Sequence, residues 1–221
     1  MIHPEFYAER PSHRLVRARH LALALLLPFT FAGAASSQQP APTPNLQEPI
    51  NIESTAIEYV PPLAQSVLSR DQGQVSNLLR AGENPDDRVR GKDGARAGFT
   101  PLILVAAISD AEIAQMLIRA GAKITASDDF HRSAFWYAAL RGDVQLTKVL
   151  VEVPGAKEAV NLTDDDLKRA PLHMAVHGNK PELVQILLRT GASTALKDYL
   201  EETPIEFCKR RFTKGCAGLE R

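Results

Sequence analysis

The chain has 221 residues, of which 26 are basic, 26 are acidic and two are cysteines, and 44% of the chain is hydrophobic. This composition excludes a disordered chain, a collagen and a disulfide-dense scaffold, and the balanced charge gives no reason to expect binding to nucleic acid or anionic lipid. Only 6% of the residues are aromatic, so the apolar share comes from Ala, Leu, Val and Ile, a mixture that favours packed helices.

Residues 1–34 have the layout of a secretory signal peptide. A run of basic residues precedes an apolar stretch from Leu21 to Ala32, which is too short for an ordinary membrane span because a helix of this length rises about 18 Å. Small residues allow cleavage after Ala34 or after Ala35. The alternative is an uncleaved anchor or a buried helix. Because residues 1–15 are long and polar for such a leader, we also expect the true start to lie near Val16.

Residues 35–56 are predicted to be a linker. Four prolines fall within ten residues, from Pro40 to Pro49, and the segment has little apolar surface to bury. We expect an extended, polyproline-like tether that joins the signal peptide to a folded domain.

A sequence repeat governs the rest of the chain. Related triplets begin near residues 61, 100, 133, 170 and 203, with separations of 39, 33, 37 and 33 residues. Twenty-one positions after the first four starts come the predicted turn residues Gly82, Gly121, Pro154 and Gly191. Each unit has the apolar spacing of two helices, and extra residues after Gly82 and Pro154 are expected to lengthen the loops there.

The segments Ala170-Pro-Leu-His-Met-Ala-Val176, Leu187-Leu-Arg-Thr-Gly-Ala192 and Ala138-Ala-Leu-Arg-Gly-Asp143 resemble the ankyrin repeat. The resemblance covers residues 57–212 and implies an all-α solenoid of stacked helix-turn-helix units with projecting hairpin-like loops. We expect four full repeats, a partial repeat as the C-terminal cap, and a tail at residues 213–221. The third unit departs from the pattern, since Trp136 stands where the family has a structural histidine.

No motif predicts catalysis, a cofactor or a metal site. The glycine-rich segment Gly91–Gly98 lacks the ending of a phosphate-binding loop, and we favour a loop insertion. His173 and His177 have the spacing of two metal ligands on one helix, but His173 occupies the structural histidine position. The acidic run Asp164–Asp166 would suit calcium or a basic partner, although a solvated loop before a tight turn is the simpler interpretation.

Cys208 and Cys216 form the predicted disulfide. Export to an oxidising compartment favours the bond, and Gly215 allows the tail to fold back toward the last helix. In a reducing compartment the same residues would be two separate thiols.

The resemblance also implies where a partner binds, because ankyrin domains use the loop before each unit and the end of its first helix. Carried over by position, the predicted partner-binding residues are Arg96, Phe99, Ile108, Asp129, Phe130, Arg132, Arg141, Asp166, Leu167, Arg169, His177, Tyr199, Leu200 and Glu202. Phe130, Leu167 and Leu200 recur at one position of the repeat, so these three alternatively pack the loops together.

These observations predict a non-catalytic, monomeric module that binds another protein through a concave face, without cofactor, nucleic acid or membrane insertion after signal cleavage. By resemblance to exported bacterial ankyrin proteins, we expect a periplasmic location and a role in support of an envelope or stress-defence enzyme. The alternative is an extracellular effector that binds a host protein.

Overall fold

The computed structural model describes residues 57–95, 97–211 and Leu219. The predicted signal peptide and linker lie outside these residues, as do Arg96 and Cys216.

Paired helices dominate the described residues. In chain order these helices are α1 (Pro62–Leu68), α2 (Gln72–Arg80), α3 (Pro101–Ile108), α4 (Ala111–Arg119), α5 (Ala134–Arg141), α6 (Val144–Val151), α7 (Ala156–Ala159), α8 (Pro171–His177), α9 (Pro181–Thr190) and α10 (Pro204–Arg211). Two short strands, β1 (Ile57–Tyr59) and β2 (Arg90–Gly91), pair antiparallel.

The helices stack in two rows. The first helices of successive units, α1, α3, α5, α8 and α10, pack side by side as an inner row, and α2, α4, α6 and α9 form the outer row. Each inner helix begins one residue after a predicted repeat start. The predicted all-α solenoid of stacked helix-turn-helix units is therefore confirmed.

The inner row forms most of the core. All eight residues of α3 are buried, as are the first six residues of α5, including Trp136. The outer helices bury one stripe each, such as Ile113 and Leu117 of α4. Each fully buried Leu or Ile contributes about 1.5–3 kcal/mol of transfer free energy, so neighbouring units stabilise one another through these layers.

Polar side chains cap the start of several helices. The Thr100 hydroxyl accepts a hydrogen bond from the Ile103 N–H at 3.3 Å at the start of α3. At α10 the Glu206 carboxylate accepts from the Thr203 N–H at 2.8 Å, and the Glu206 N–H donates to the Thr203 hydroxyl. This reciprocal pair is the capping box that the sequence pattern indicates.

Three of the four outer helices, α2, α4 and α6, use aspartate instead. Asp71, Asp110 and Asp143 each accept a hydrogen bond from the backbone N–H three residues later. A second capping box that begins at Ser109 is suggested by the sequence pattern, but the structure corrects this: Ser109 adopts a left-handed φ of 59°, and Asp110 caps α4.

The two insertions are structured. The residues after Pro154 include the short helix α7, which packs against α6, and Gly155 rather than Pro154 takes the left-handed turn with φ of 89°. The residues after Gly82 include β2, which pairs with β1 at the N-terminal end of the described region.

The structure confirms the predicted structural role of His173. Its side chain is buried; Nδ1 accepts a hydrogen bond from the Ala170 N–H, and Nε2 donates to the Glu202 carbonyl oxygen, both at 3.2 Å. The second bond joins two repeats and requires the neutral tautomer with the proton on Nε2. Burial lowers the pKa of His173, which is consistent with this neutral form.

Candidate functional site

Four loops of the described region precede α3, α5, α8 and α10, and we call them fingers 1 to 4 (residues 89–95 with 97–99, 124–132, 161–169 and 194–202). Each loop contains a residue with positive φ. This residue lies three positions before the first residue of the inner helix that follows. These residues are Gly98, His131, Lys168 and Glu201, with φ of 64°, 59°, 55° and 61°. The shared left-handed residue turns each loop into its helix in the same way.

A buried aspartate holds the tip of each of the last three fingers. Asp128 accepts hydrogen bonds from the N–H groups of Phe130 and Arg132, both at 2.9 Å. Asp164 and Asp198 accept equivalent pairs of backbone bonds in fingers 3 and 4. Because these N–H groups are satisfied by a side chain of the same loop, the finger tips are held in one conformation.

Backbone hydrogen bonds join the fingers into a row. The Asp129 N–H donates to the Ala97 carbonyl at 3.3 Å, the Asp165 N–H to the Phe130 carbonyl at 3.0 Å, and the Tyr199 N–H to the Leu167 carbonyl at 2.9 Å. In every case the later finger donates to the earlier one, so the row has a direction.

Fingers 1 and 2 are especially close. The Asp129 carboxylate accepts from the Ala97 N–H at 2.9 Å. A Cβ atom on Gly98 would overlap Asp129 Oδ1 and would lie 2.9 Å from the Asp129 backbone nitrogen. Non-glycine residues hold the same left-handed φ in fingers 2 to 4, so it is the close contact with Asp129 that requires glycine at position 98.

The Arg132 guanidinium is held in place on finger 2. Its Nε donates to Asp128 Oδ2 at 3.0 Å, and the Tyr137 hydroxyl donates to the same oxygen at 2.8 Å. The guanidinium carbon lies 4.2 Å from the ring centroid of Phe130 and 5.2 to 5.3 Å from those of Tyr137 and Trp136. These contacts preorganise an arginine at the finger surface.

Arg169 differs from Arg132 because it is buried. Its Nε and Nη2 both lie 3.3 Å from Asp198 Oδ2 in the next finger, and the guanidinium carbon lies 4.7 Å from the Phe207 ring centroid. We expected Arg169 to contact a partner; the structure instead places it between fingers 3 and 4.

The predicted partner-binding residues divide by exposure. Asp129, Asp166, Tyr199 and Leu200 are exposed. Six are half-buried: Phe130, Arg132, Arg141, Leu167, His177 and Glu202. Three are buried and are corrected to interior positions: Phe99, Ile108 and Arg169. Arg96 lies outside the described residues.

Phe130 and Leu167 are half-buried, and their backbone carbonyls accept hydrogen bonds from the next finger. Leu200, at the same position of the last finger, is 44% exposed.

Two exposed residues of the row were not predicted. His131 Nδ1 lies 2.7 Å from Asp165 Oδ1, and Lys168 Nζ lies 3.8 Å from the same oxygen. Both residues hold the left-handed position, which is usually marked by glycine, so the sequence contained no signal for them.

Arg141 is the last residue of α5, at the end of the helix opposite to finger 2. Its Nε donates to the Ala107 carbonyl at 2.6 Å, and Arg70 Nη2 donates to the Ile108 carbonyl. Burial lowers the pKa of Arg141, and the nearby Arg70 charge lowers it further. These two arginines bind the free carbonyls at the end of α3, where a cation is favoured.

His177 packs on Phe207 of the next unit, with ring centroids 6.0 Å apart and 27° between the planes. Burial, with smaller contributions from Arg211 and Arg169, lowers the pKa of His177 to about 4. A metal shared by His173 and His177 is not supported, since both ring nitrogens of His173 are engaged in hydrogen bonds.

The three acidic residues Asp164–Asp166 differ in solvent exposure. Asp164 is buried as the cap of finger 3, while Asp165 is half-buried and Asp166 is exposed. Burial raises the pKa of Asp164 even though backbone N–H groups oppose the shift. Among the described residues, no group of three or more His, Cys, Asp or Glu side chains is arranged to hold a metal ion.

Cys208 is buried in α10. Its predicted partner Cys216 lies outside the described residues, so the disulfide stays a prediction. Leu219, which follows that gap, is buried.

Comparison with known proteins shows what the repeat is similar to. Residues 102–198 match the family model for ankyrin repeats (3 copies). A segment of 125 residues is 32% identical to the transient receptor potential cation channel subfamily A member 1 homolog of Caenorhabditis elegans. The match covers 52% of this chain but only 10% of that protein. Within the described residues, no helix has both the length and the apolar character needed to cross a bilayer.

Proposed function

We infer that this ankyrin-repeat solenoid is a protein-binding module whose partner contacts the finger row and the adjoining inner helices. Ankyrin repeats generally mediate protein–protein interaction, and the sequence contains no motif that would assign a reaction to this chain.

One observation carries the proposal: the fingers are locked to one another and still present large side chains to solvent. Backbone bonds between fingers and the buried aspartates fix the loops. Tyr199 and Leu200 nevertheless remain 52% and 44% exposed. A rigid surface loses little conformational entropy on binding, and exposed aromatic and arginine side chains are the types that anchor protein interfaces.

Site-specific photo-crosslinking tests the proposal. A photoreactive amino acid at His131 or Tyr199 should capture a partner protein in the native cell. The same group at Gln115 or Arg189, exposed residues of the outer helices, serves as the matched control. Crosslinks that form from the outer row and not from the fingers would show that the binding face has been misassigned.

We further propose that the module is exported. The Arg-rich leader, apolar run and small residues before Ser36 support a cleaved signal peptide, with residues 35–56 as a tether. N-terminal sequencing of the protein from its native compartment should find Ala35 or Ser36 as the first residue. An intact Met1 would contradict export by cleavage.

Within that proposal, a periplasmic module would support an envelope or stress-defence enzyme. The alternative is a secreted effector that binds a host protein. Cell fractionation separates the two, because retention in the envelope favours the first role and release into the medium or a host cell favours the second.

A further inference from the structure

We propose that the open end of the finger row, at Tyr199 and Leu200, binds an extended segment of the partner protein in the place that a fifth finger would occupy. This inference rests on the proposed protein-binding function and specifies which chemistry of the partner is recognised there.

The finger row itself shows what this end is built to accept. The three carbonyl acceptors between fingers belong to Ala97, Phe130 and Leu167, each of which lies three residues before the residue that precedes an inner helix. Leu200 has the same position relative to Thr203. In the part of the chain that the structure describes, no donor reaches the Leu200 carbonyl oxygen. Among the described residues, the last finger therefore ends the row with an open acceptor.

The side chains at this end are also uncovered. Phe130 and Leu167, which precede another finger, are half-buried, whereas Leu200 is 44% exposed. At the neighbouring position, fingers 2 and 3 carry the acids Asp129 and Asp166, but finger 4 carries Tyr199, which is 52% exposed. An aromatic and an aliphatic group thus stand beside the open carbonyl. Covering such groups supplies the apolar part of a binding site.

The charges around the pair are already matched within the chain. Glu202 Oε1 accepts from Arg210 Nε at 2.6 Å, and Glu201 lies 3.4 Å from Lys197 Nζ. The surface therefore offers one backbone acceptor and an apolar patch with little net charge. The matching partner is an extended segment that brings a backbone N–H to Leu200 and an uncharged apolar side chain to Tyr199, as in strand addition to a sheet edge.

Selection from a display library of linear peptides, with the full mature protein as bait, provides the probe. Selected peptides should carry an aromatic or aliphatic residue at a shared position. Their affinity should fall at least about tenfold on the double substitution Tyr199→Ser and Leu200→Ser, because burial of two large side chains is lost. Tyr59→Ser is the matched control, since Tyr59 is 39% exposed on β1 at the other end of the row, and it should leave affinity unchanged.

A scan of N-methylated peptides tests the hydrogen bond itself. Methylation at a single position should weaken binding roughly fivefold to tenfold, because one donor is removed. That same amide should show a scalar coupling by NMR to the Leu200 carbonyl carbon.

Three results would overturn the proposal: no peptide enriched over the double variant, equal binding by the double variant, or a scan without a sensitive amide. Self-association of the wild-type chain that Leu200→Ser abolishes would assign the site to a second copy instead. If one of these results is found and crosslinks from His131 still form in the double variant, this inference fails but the proposed protein-binding function stands.

Discussion

Arg169 reaches forward out of its own finger and pairs with Asp198 of the next finger, with Nη2 3.3 Å from Oδ2 and both side chains excluded from solvent. In finger 2 the corresponding Arg132 bonds instead to Asp128 of the same loop. Arg132 and Arg169 occupy the same repeat position but have different roles. Arg132 lies at the surface of its own finger, whereas Arg169 joins two repeats.

Arg169→Ala should lower the free energy of unfolding by about 3–5 kcal/mol, because it leaves the Asp198 carboxylate buried without its cation. The double variant Arg169→Met with Asp198→Leu should lose much less than the sum of the single losses. Urea unfolding of the three variants measures this coupling. Additive losses would mean that Arg169 and Asp198 have no coupling energy.

Asp164→Asn should leave stability at pH 7 unchanged or raise it by up to about 1 kcal/mol. Since burial raises the pKa of Asp164 in the folded protein, its charged form is a cost above that pKa, and the cost disappears as the pH falls toward the unfolded value. Asp128→Asn is the matched variant, since it loses the ion pair to Arg132, and it should destabilise by about 2–4 kcal/mol. Equal losses from both would contradict this distinction.

His177 should make the protein less stable as the pH falls from 6.5 to about 4. Across this range the unfolded chain takes up a proton that the folded state, with a pKa of about 4, does not bind. Allowing for partial solvent exposure, the loss is about 1–2 kcal/mol. His177→Phe keeps a ring on Phe207 and should flatten this part of the stability profile, as measured by denaturant unfolding at several pH values. If the stability of His177→Phe falls with pH as steeply as that of the wild type, His177 is not the group responsible.

Gly98→Ala should destabilise the protein by more than about 2 kcal/mol and loosen the contact between fingers 1 and 2, because the new methyl group meets Asp129. Gly121→Ala is the control, since Gly121 has φ of 91° but no atom within 4 Å of the added Cβ, and it should cost about 1 kcal/mol. Thermal unfolding compares the two, and hydrogen exchange at the Asp129 amide reports on the contact. If the two substitutions lower stability equally, the contact with Asp129 does not account for the effect of Gly98→Ala.

Cys208 and Cys216 should be joined in protein taken from its native compartment. Mass spectrometry with and without reductant should show a difference of two hydrogens, and Cys216→Ser should lower stability by about 2.5 kcal/mol through lost chain-entropy restriction. Two thiols that react fully with an alkylating agent without reductant would refute the bond.

The fold was predictable because each unit repeats its helix signals. Thr100 before Pro101 marks the start of α3 in the same way that Thr203 before Pro204 marks α10. Trp136, which stands at the structural histidine position of the repeat, is buried as that position implies.

The site was harder to predict because exposure depends on which neighbour a side chain reaches. Nothing local distinguishes Arg169 from Arg132; burial of Arg169 follows from Asp198, 29 residues away, and from Phe207. Likewise, Gly155 instead of Pro154 forms the turn after α6 because the inserted residues form α7, a tertiary adjustment that repeat spacing does not encode.

The common direction of the hydrogen bonds between fingers bears on how the protein forms during synthesis. A ribosome releases the N-terminal units first, so each acceptor carbonyl, from Ala97 to Leu167, exists before the amide that will bind it has been made. Every new unit can add to a finished template, and a nascent chain at any stage exposes one unfilled acceptor at its growing end.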